Sequence, residues 1–352
     1  MPEFWPEPVY CPDRGRGFIE PRRGGKHRHI SVYTAQWRCS LREFTVAVLA
    51  DVHGNYLALK ACLDYARARK IEKYVFLGDY ITDHAYPQRV MELLYEAAGR
   101  YDCRFVRGNR EDYMISYRAN GGKEADGSVW RDGSCQGALL YCYENLTDRD
   151  IDWFEGLPVY GSWQIGSAPP IAFCHGSPYK TKDQIYSVEA LEKLAQLPER
   201  ILLKGHNHRF FSFWHKGLRA VCAGSVGNPI YCRTRAGVVE VTPLAKVAQM
   251  LLMHYEGGRW VPEYVTVPYD WEQTIKNLEL SGLTKRAPVW AAMLRHNVLT
   301  GTDPFGRVPQ RAVELYRLDT GIKAAGWAGV PEEYWVMAAK EYKIELVPEN
   351  LW

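Results

Sequence analysis

The sequence predicts an α/β fold that passes into mostly helical chain over residues 271–352. Two observations carry this: apolar runs of strand length alternate with stretches whose apolar residues fall at helical spacing, and the runs end, one after another, in Asp, Asn or His beside a glycine.

Phe44–Ala50 (FTVAVLA) is a continuous apolar run, the pattern of a strand buried on both faces. Tyr56–Lys70 follows with Leu57, Ala61, Tyr65 and Ala68 on one helical face. Lys73–Leu77 is a second strand, followed by a helix around Pro87–Ala98, and Cys103–Arg107 is a third strand. The Gly- and Asp-rich stretch from Asn120 to Gly133 reads as an exposed loop. Gln136–Asn145 and Asp148–Gly156 read as helices, the second opened by Thr147 as N-cap. Ile171–Cys174, Ile201–Lys204 and Ala220–Ala223 supply short strands. Gln249–Tyr255 and Trp260–Val267 flank Glu256-Gly257-Gly258-Arg259, a hairpin signal. Residues 1–42 are rich in Pro, Gly and Arg without either period. They read as a disordered leader, with a basic arm for phosphates or RNA as the alternative.

The chain has 352 residues, 47% of them hydrophobic, enough for one large domain with additions. A net charge of +3 permits an anionic substrate but supplies no basic surface for long nucleic acid. Nine cysteines occur without a CxxC pair, so neither a thiolate zinc site nor a dithiol redox site is signalled. The large apolar runs argue against a disulfide scaffold, and the expected setting is a reducing cytoplasm. No apolar stretch approaches the roughly 20 residues that span a bilayer, and the N-terminal stretch lacks the apolar core of a secretory signal.

The strand ends carry the chemistry. FTVAVLA leads into Asp51-Val52-His53-Gly54-Asn55, and KYVFL into Gly78-Asp79-Tyr80. CRFVR leads into Gly108-Asn109-Arg110-Glu111, IAFC into His175-Gly176, and ILLK into Gly205-His206-Asn207-His208. In an open α/β sheet the carboxyl ends of strands converge on the ligand crevice. Carboxylate, amide oxygen and imidazole together suit manganese, iron or zinc. Asp51 and His53 lie two apart, as do His206 and His208, so in extended backbone each pair points one way.

This ordered set, with Gly224-Ser225-Val226-Gly227-Asn228-Pro229, resembles the calcineurin-like metallophosphoesterase superfamily, in particular its small bacterial and archaeal phosphodiesterase branch. The resemblance covers residues 43–270 and leaves 1–42 and a helical extension, 271–352, outside it. It implies two packed mixed sheets flanked by helices. It also implies one divalent cation held by Asp51, His53, Asp79 and His208, and a second by Asp79, Asn109, His175 and His206, with Asp79 bridging. Asp79, Asn109, His175 and Arg110 are then the catalytic residues, and water activated by the two metals hydrolyses a phosphodiester or phosphomonoester. Where many members have His after the Gly-Asn pair, this chain has Arg110. An arginine stays protonated and cannot serve as general acid, though its fork can hold a phosphate oxygen. The alternative is a surface pair with Glu111 or Asp112. His84 is another candidate proton donor, with a solvated loop histidine as the plainer expectation.

Tyr80 and Asn55 stand beside ligand positions and could line the pocket, although Asn55 equally suits a helix N-cap. His215, His254 and His296 fall outside every motif and are expected to be structural or surface residues. Trp271, Trp290, Trp327 and Trp335 are expected in the core of an added helical lobe rather than in a platform for stacking bases. Apart from hydrolysis, the same residues leave open a non-catalytic metal-binding scaffold, and a nuclease, which would bind with steep salt dependence. The expected partner is a phosphate-ester substrate, with no membrane.

Overall fold

The computed structural model describes residues 43–185, 190, 192, 194, 196–230, 245–324 and 326–346, so the expected leader, 1–42, lies outside the described residues. Two five-stranded sheets form the centre. The first has the order β10-β9-β1-β2-β3 and comprises β1 (Phe44–Leu49), β2 (Lys73–Phe76), β3 (Asp102–Phe105), β9 (Val247–Glu256) and β10 (Arg259–Pro268). The second has the order β4-β5-β6-β8-β7 and comprises β4 (Tyr160–Trp163), β5 (Ile171–Cys174), β6 (Ile201–Lys204), β7 (Phe210–His215) and β8 (Leu218–Ala223). β1, β2 and β3 run parallel, as do β5, β6 and β8, with antiparallel strands at the margins.

The unbroken apolar run of β1 has a simple cause. Val46 and Val48 face the second sheet with Val75, Leu77, Phe173, Leu203 and Val221, while Ala47 and Leu49 face the helices with Leu59, Phe76 and Leu94. A strand covered on both sides can bury every residue, and each full burial of a Val or Leu contributes about 1.5–3 kcal/mol. The helical cover of the first sheet comprises α1 (Tyr56–Ala68), α2 (Pro87–Arg100) and, near β3, α3 (Asn109–Ala119) and α5 (Asp148–Gly156). Thr147 caps α5 as expected, its hydroxyl accepting from Asp150 N while the Asp150 carboxylate accepts from Thr147 N.

Three features differ from the expectation. Helix α3 starts at Asn109 itself, because the motif residue opens a helix of polar composition whose period is too weak to read. β4 and β7 are edge strands with mixed exposure and lack a clean alternation. The 120–133 loop is irregular, but Trp130 is buried, its ring stacked on Tyr117 at 3.8 Å.

The C-terminal helices are α6 (Trp271–Leu280), α7 (Leu283–Arg286), α8 (Pro288–Thr300), α9 (Arg307–Thr320) and α10 (Glu332–Glu341). They share a core around Leu294, Met293, Trp335 and Ala338, joined by Ala138 and Tyr141 of α4 (Gly137–Glu144). Trp335 lies in that core, but Trp327 is 41% exposed, and Trp290 turns its indole N–H toward the main domain. Among the described residues no helix is long and apolar enough to cross a membrane.

Candidate metal centre

The loops leaving the strands turn through backbone that side-chain-bearing residues seldom adopt. Asp51, His53, Asp79, His206 and His208 all have φ between 49° and 69°. The sequence argument placed Asp51 and His53 in extended chain, and His206 and His208 likewise. Each of the four is instead left-handed, and the paired side chains converge through the turn. A left-handed residue other than glycine costs about 1 kcal/mol or more, so strain is concentrated here. The neighbouring glycines leave room for it: a Cβ at Gly108 would lie within the Asp79 carboxylate.

The seven residues named from the sequence come together at one rim. Asp51, His53 and His208 offer ligand atoms within 4.8 Å of one another, and Asp79, His175 and His206 form a second such group. His53 Nε2 and His208 Nε2 are 2.9 Å apart, and His175 Nε2 and His206 Nδ1 are 3.2 Å apart. Asp79 reaches both groups: its Oδ2 lies 3.4 Å from His175 Nε2 and 3.8 Å from His53 Nε2. Asn109 Oδ1 is 3.3 Å from His175 Nε2.

Two of the histidines are hydrogen-bonded from behind, and a third stands against a carboxylate. His175 Nδ1 donates to Leu77 O at 2.7 Å and His208 Nδ1 to Asn228 O at 3.0 Å. His53 Nδ1 lies 3.0 Å from Asp83 Oδ2. Each arrangement leaves Nε2 turned inward as an acceptor, the tautomer a metal-binding imidazole requires. Two inward nitrogens in near contact make a poor pair for one another and a good pair for a cation. The donor set therefore fits divalent metal ions at two candidate groups.

Without a cation, the buried carboxylates draw a second proton onto His175, the proton that a metal ion at Nε2 would replace. Burial opposes charge on Asp79, but His175 and His53 overcome it and hold the carboxyl far below the usual range. Burial likewise works against a charged His175, yet Asp79 and Asp51 push it up to about 9. His206 is lowered to about 3 by burial and by the charge of His175.

Arg110 departs from the surface-pair alternative. Its Nη2 lies 3.5 Å from Asp83 Oδ2 and its Nε 4.0 Å from Asp79 Oδ2, and that buried Nε has no hydrogen-bond partner among the described residues. Asp112 pairs instead with Arg107, and Glu111 is fully buried. Glu111 accepts N–H bonds from Asp79 and Gly108 on one oxygen and from Tyr80 on the other, locking the second and third motifs together.

Asp83 is the residue that sequence reasoning missed. It is buried between His53, Arg110, Asn228 and Trp290. Its only sequence signal was a second acid four residues after Asp79. His84 is not solvated: it is buried, Nε2 donates to Asn228 Oδ1 at 2.8 Å, and burial lowers it to about 4. Tyr80 does not line a pocket, because its hydroxyl donates to Val106 O inside the core. Asn55 caps α1 by accepting from Ala58 N.

The model of the calcineurin-like phosphoesterase family matches residues 44–233, and the chain belongs to that family. An uncharacterized protein of Methanocaldococcus jannaschii is 28% identical over 133 residues, 38% of this chain and 49% of that protein. A PP2A-like serine/threonine-protein phosphatase of Candida albicans is 24% identical over 237 residues, 56% of this chain and 55% of that protein. The chain thus spans about half the length of the curated relatives it matches. A hypothetical protein from Pyrococcus horikoshii superposes with a TM-score of 0.58 at 21% identity, over 74% of this chain and 99% of that one. A metallophosphoesterase from Sphaerobacter thermophilus gives 0.53 at 18% identity, over 71% and 98%. The expected pair of mixed sheets flanked by helices is the observed fold, and it is the fold these structures share.

Proposed function

We propose that the protein hydrolyses a phosphodiester or phosphomonoester at a dinuclear centre, with residues 43–270 as the catalytic unit and 271–352 as an extension. The first cation would be held by Asp51, His53, Asp79 and His208, and the second by Asp79, Asn109, His175 and His206, with Asp79 shared. The convergence of inward imidazole nitrogens, with His175, His208 and His53 backed by Leu77 O, Asn228 O and Asp83, is the observation that carries this reading. Two divalent ions supply acidification of the attacking water and neutralisation of the phosphoryl oxygens.

The protein groups do the positioning. Asp83 and the carbonyls of Leu77 and Asn228 fix the three rings, so little reorganisation remains at the moment of reaction. Arg110, with its unpartnered Nε, is poised to donate to a phosphoryl oxygen as negative charge grows there. It stays protonated and cannot protonate the leaving oxygen, so esters with acidic leaving groups are the preferred substrates.

The test is hydrolysis of paired aryl phosphomonoester and diester substrates by chelator-stripped protein, with Mn²⁺ added back and then Fe²⁺ or Zn²⁺. Turnover restored by metal supports the reading, and the diester-to-monoester ratio separates phosphodiesterase from phosphatase. Metal bound without turnover on either ester would favour the non-catalytic scaffold.

A further inference from the structure

We propose that the C-terminal helices complete the substrate site, and that the wall they add takes a planar aromatic group carried by the phosphate ester. The inference rests on the phosphoesterase reading above. Beside the histidine rim lies a cleft of about 970 Å³, at the upper end of the range of about 300–1,000 Å³ for ligand pockets. Asn109, Arg110 and His206 reach it from the metal side, while Trp290 and Trp327 form wall on the lobe side. A phosphoryl group beside Arg110 occupies a small part of that space, so the ester's organic group has to extend between the two sides.

The chemistry of the walls selects that group. Trp327 is 41% exposed and lines the cleft, its ring perpendicular to that of Trp335 at 6.4 Å. Across the cleft, Tyr113 carries the Lys182 ammonium 4.5 Å from its ring centroid and the Arg110 guanidinium 5.8 Å from it. Lys182 has no acidic partner within 4 Å among the described residues. Aromatic faces beside a free cation favour a planar ring bearing a second anionic group, since stacking and cation attraction act together. Aryl esters and nucleotides share the ring; only nucleotides with a further phosphate also use Lys182. The expectation of tryptophans in the lobe core holds for Trp290 and Trp335, while Trp327 is exposed and lines the cleft.

The experiment measures binding, not turnover. Methylphosphonate, phenylphosphonate and adenosine 5′-(α,β-methylene)diphosphate are titrated into the Mn²⁺-loaded full chain by calorimetry. Phenylphosphonate is expected to bind about tenfold more tightly than methylphosphonate, and Trp327→Ala to remove most of that preference, with Trp327→Phe restoring part of it. Lys182→Ala is expected to weaken the adenosine compound and not phenylphosphonate; weakening of neither overturns the role of Lys182 and leaves aryl esters as the class. Equal binding of methyl- and phenylphosphonate, or a preference indifferent to Trp327→Ala, overturns the inference. Ring-selective binding without hydrolysis of any ester overturns the hydrolytic reading alone, and failure of every phosphonate to bind overturns both.

Discussion

The indole N–H of Trp290 donates to Asp83 Oδ1 at 3.2 Å, so the C-terminal lobe is bonded directly to the carboxylate that backs His53 and pairs with Arg110. The bond is buried at both ends, and its loss leaves the buried Asp83 carboxylate with one donor fewer. Trp290→Phe keeps the ring and deletes the donor. It is expected to lower stability by about 1–2 kcal/mol in urea denaturation. Asp83→Asn removes the charge behind His53 and is expected to weaken metal binding by about 10–100-fold, read by competition with a chelating dye. Unchanged metal affinity in Asp83→Asn would show that the carboxylate does not tune its histidine.

Asp79 faces both histidine groups through Oδ2, while its Oδ1 accepts Arg110 N at 2.8 Å. Asparagine retains an oxygen for that backbone bond and loses the charge. Asp79→Asn is therefore expected to fold normally, as judged by circular dichroism, while kcat for an aryl ester falls by at least about 10³-fold. Turnover near that of the parent would sink the dinuclear mechanism.

Arg110 contributes a forked donor rather than an acid. Arg110→Ala is expected to lower kcat by about 10²–10³-fold with both metals still bound, counted by elemental analysis. Arg110→Lys keeps the charge without the fork and should recover only part of the rate. A rate unaffected by Arg110→Ala would confine the residue to its contacts with Asp83 and Tyr113.

Much of this was legible in the chain because the ligand types recur at strand ends, and strand ends in such sheets face one crevice. Residues that act through long-range contacts were not. Asp83 gains its role from Arg110, Asn228 and Trp290, positions 27, 145 and 207 residues away, and no local pattern announces such meetings. The left-handed turns were hidden for another reason: strand periodicity assumes extended backbone, and the site abandons it at Asp51, His53, His206 and His208. His84 was misplaced because a polar residue in a loop reads as exposed, whereas this loop lies between α4 and the strand ends.

His84 gives the protein a defined sensitivity to acid. Burial lowers it to about 4 from the ordinary 6.5, so between those values the unfolded chain binds a proton that the folded chain does not. Stability from this residue is complete above about pH 6.5 and is lost as pH falls toward 4, at about 1.4 kcal/mol per pH unit. Its buried Nδ1 has no hydrogen-bond partner among the described residues, consistent with a neutral ring donating through Nε2 to Asn228. In His84→Gln the amide can still donate to Asn228 and the titration is gone. Urea denaturation of metal-free protein at pH 7.5 and pH 5 is expected to show a loss of stability smaller by about 2 kcal/mol in the variant. His206, also lowered by burial, titrates in both proteins and cancels from the comparison. An identical loss in parent and variant would mean that His84 takes up its proton without opening the loop.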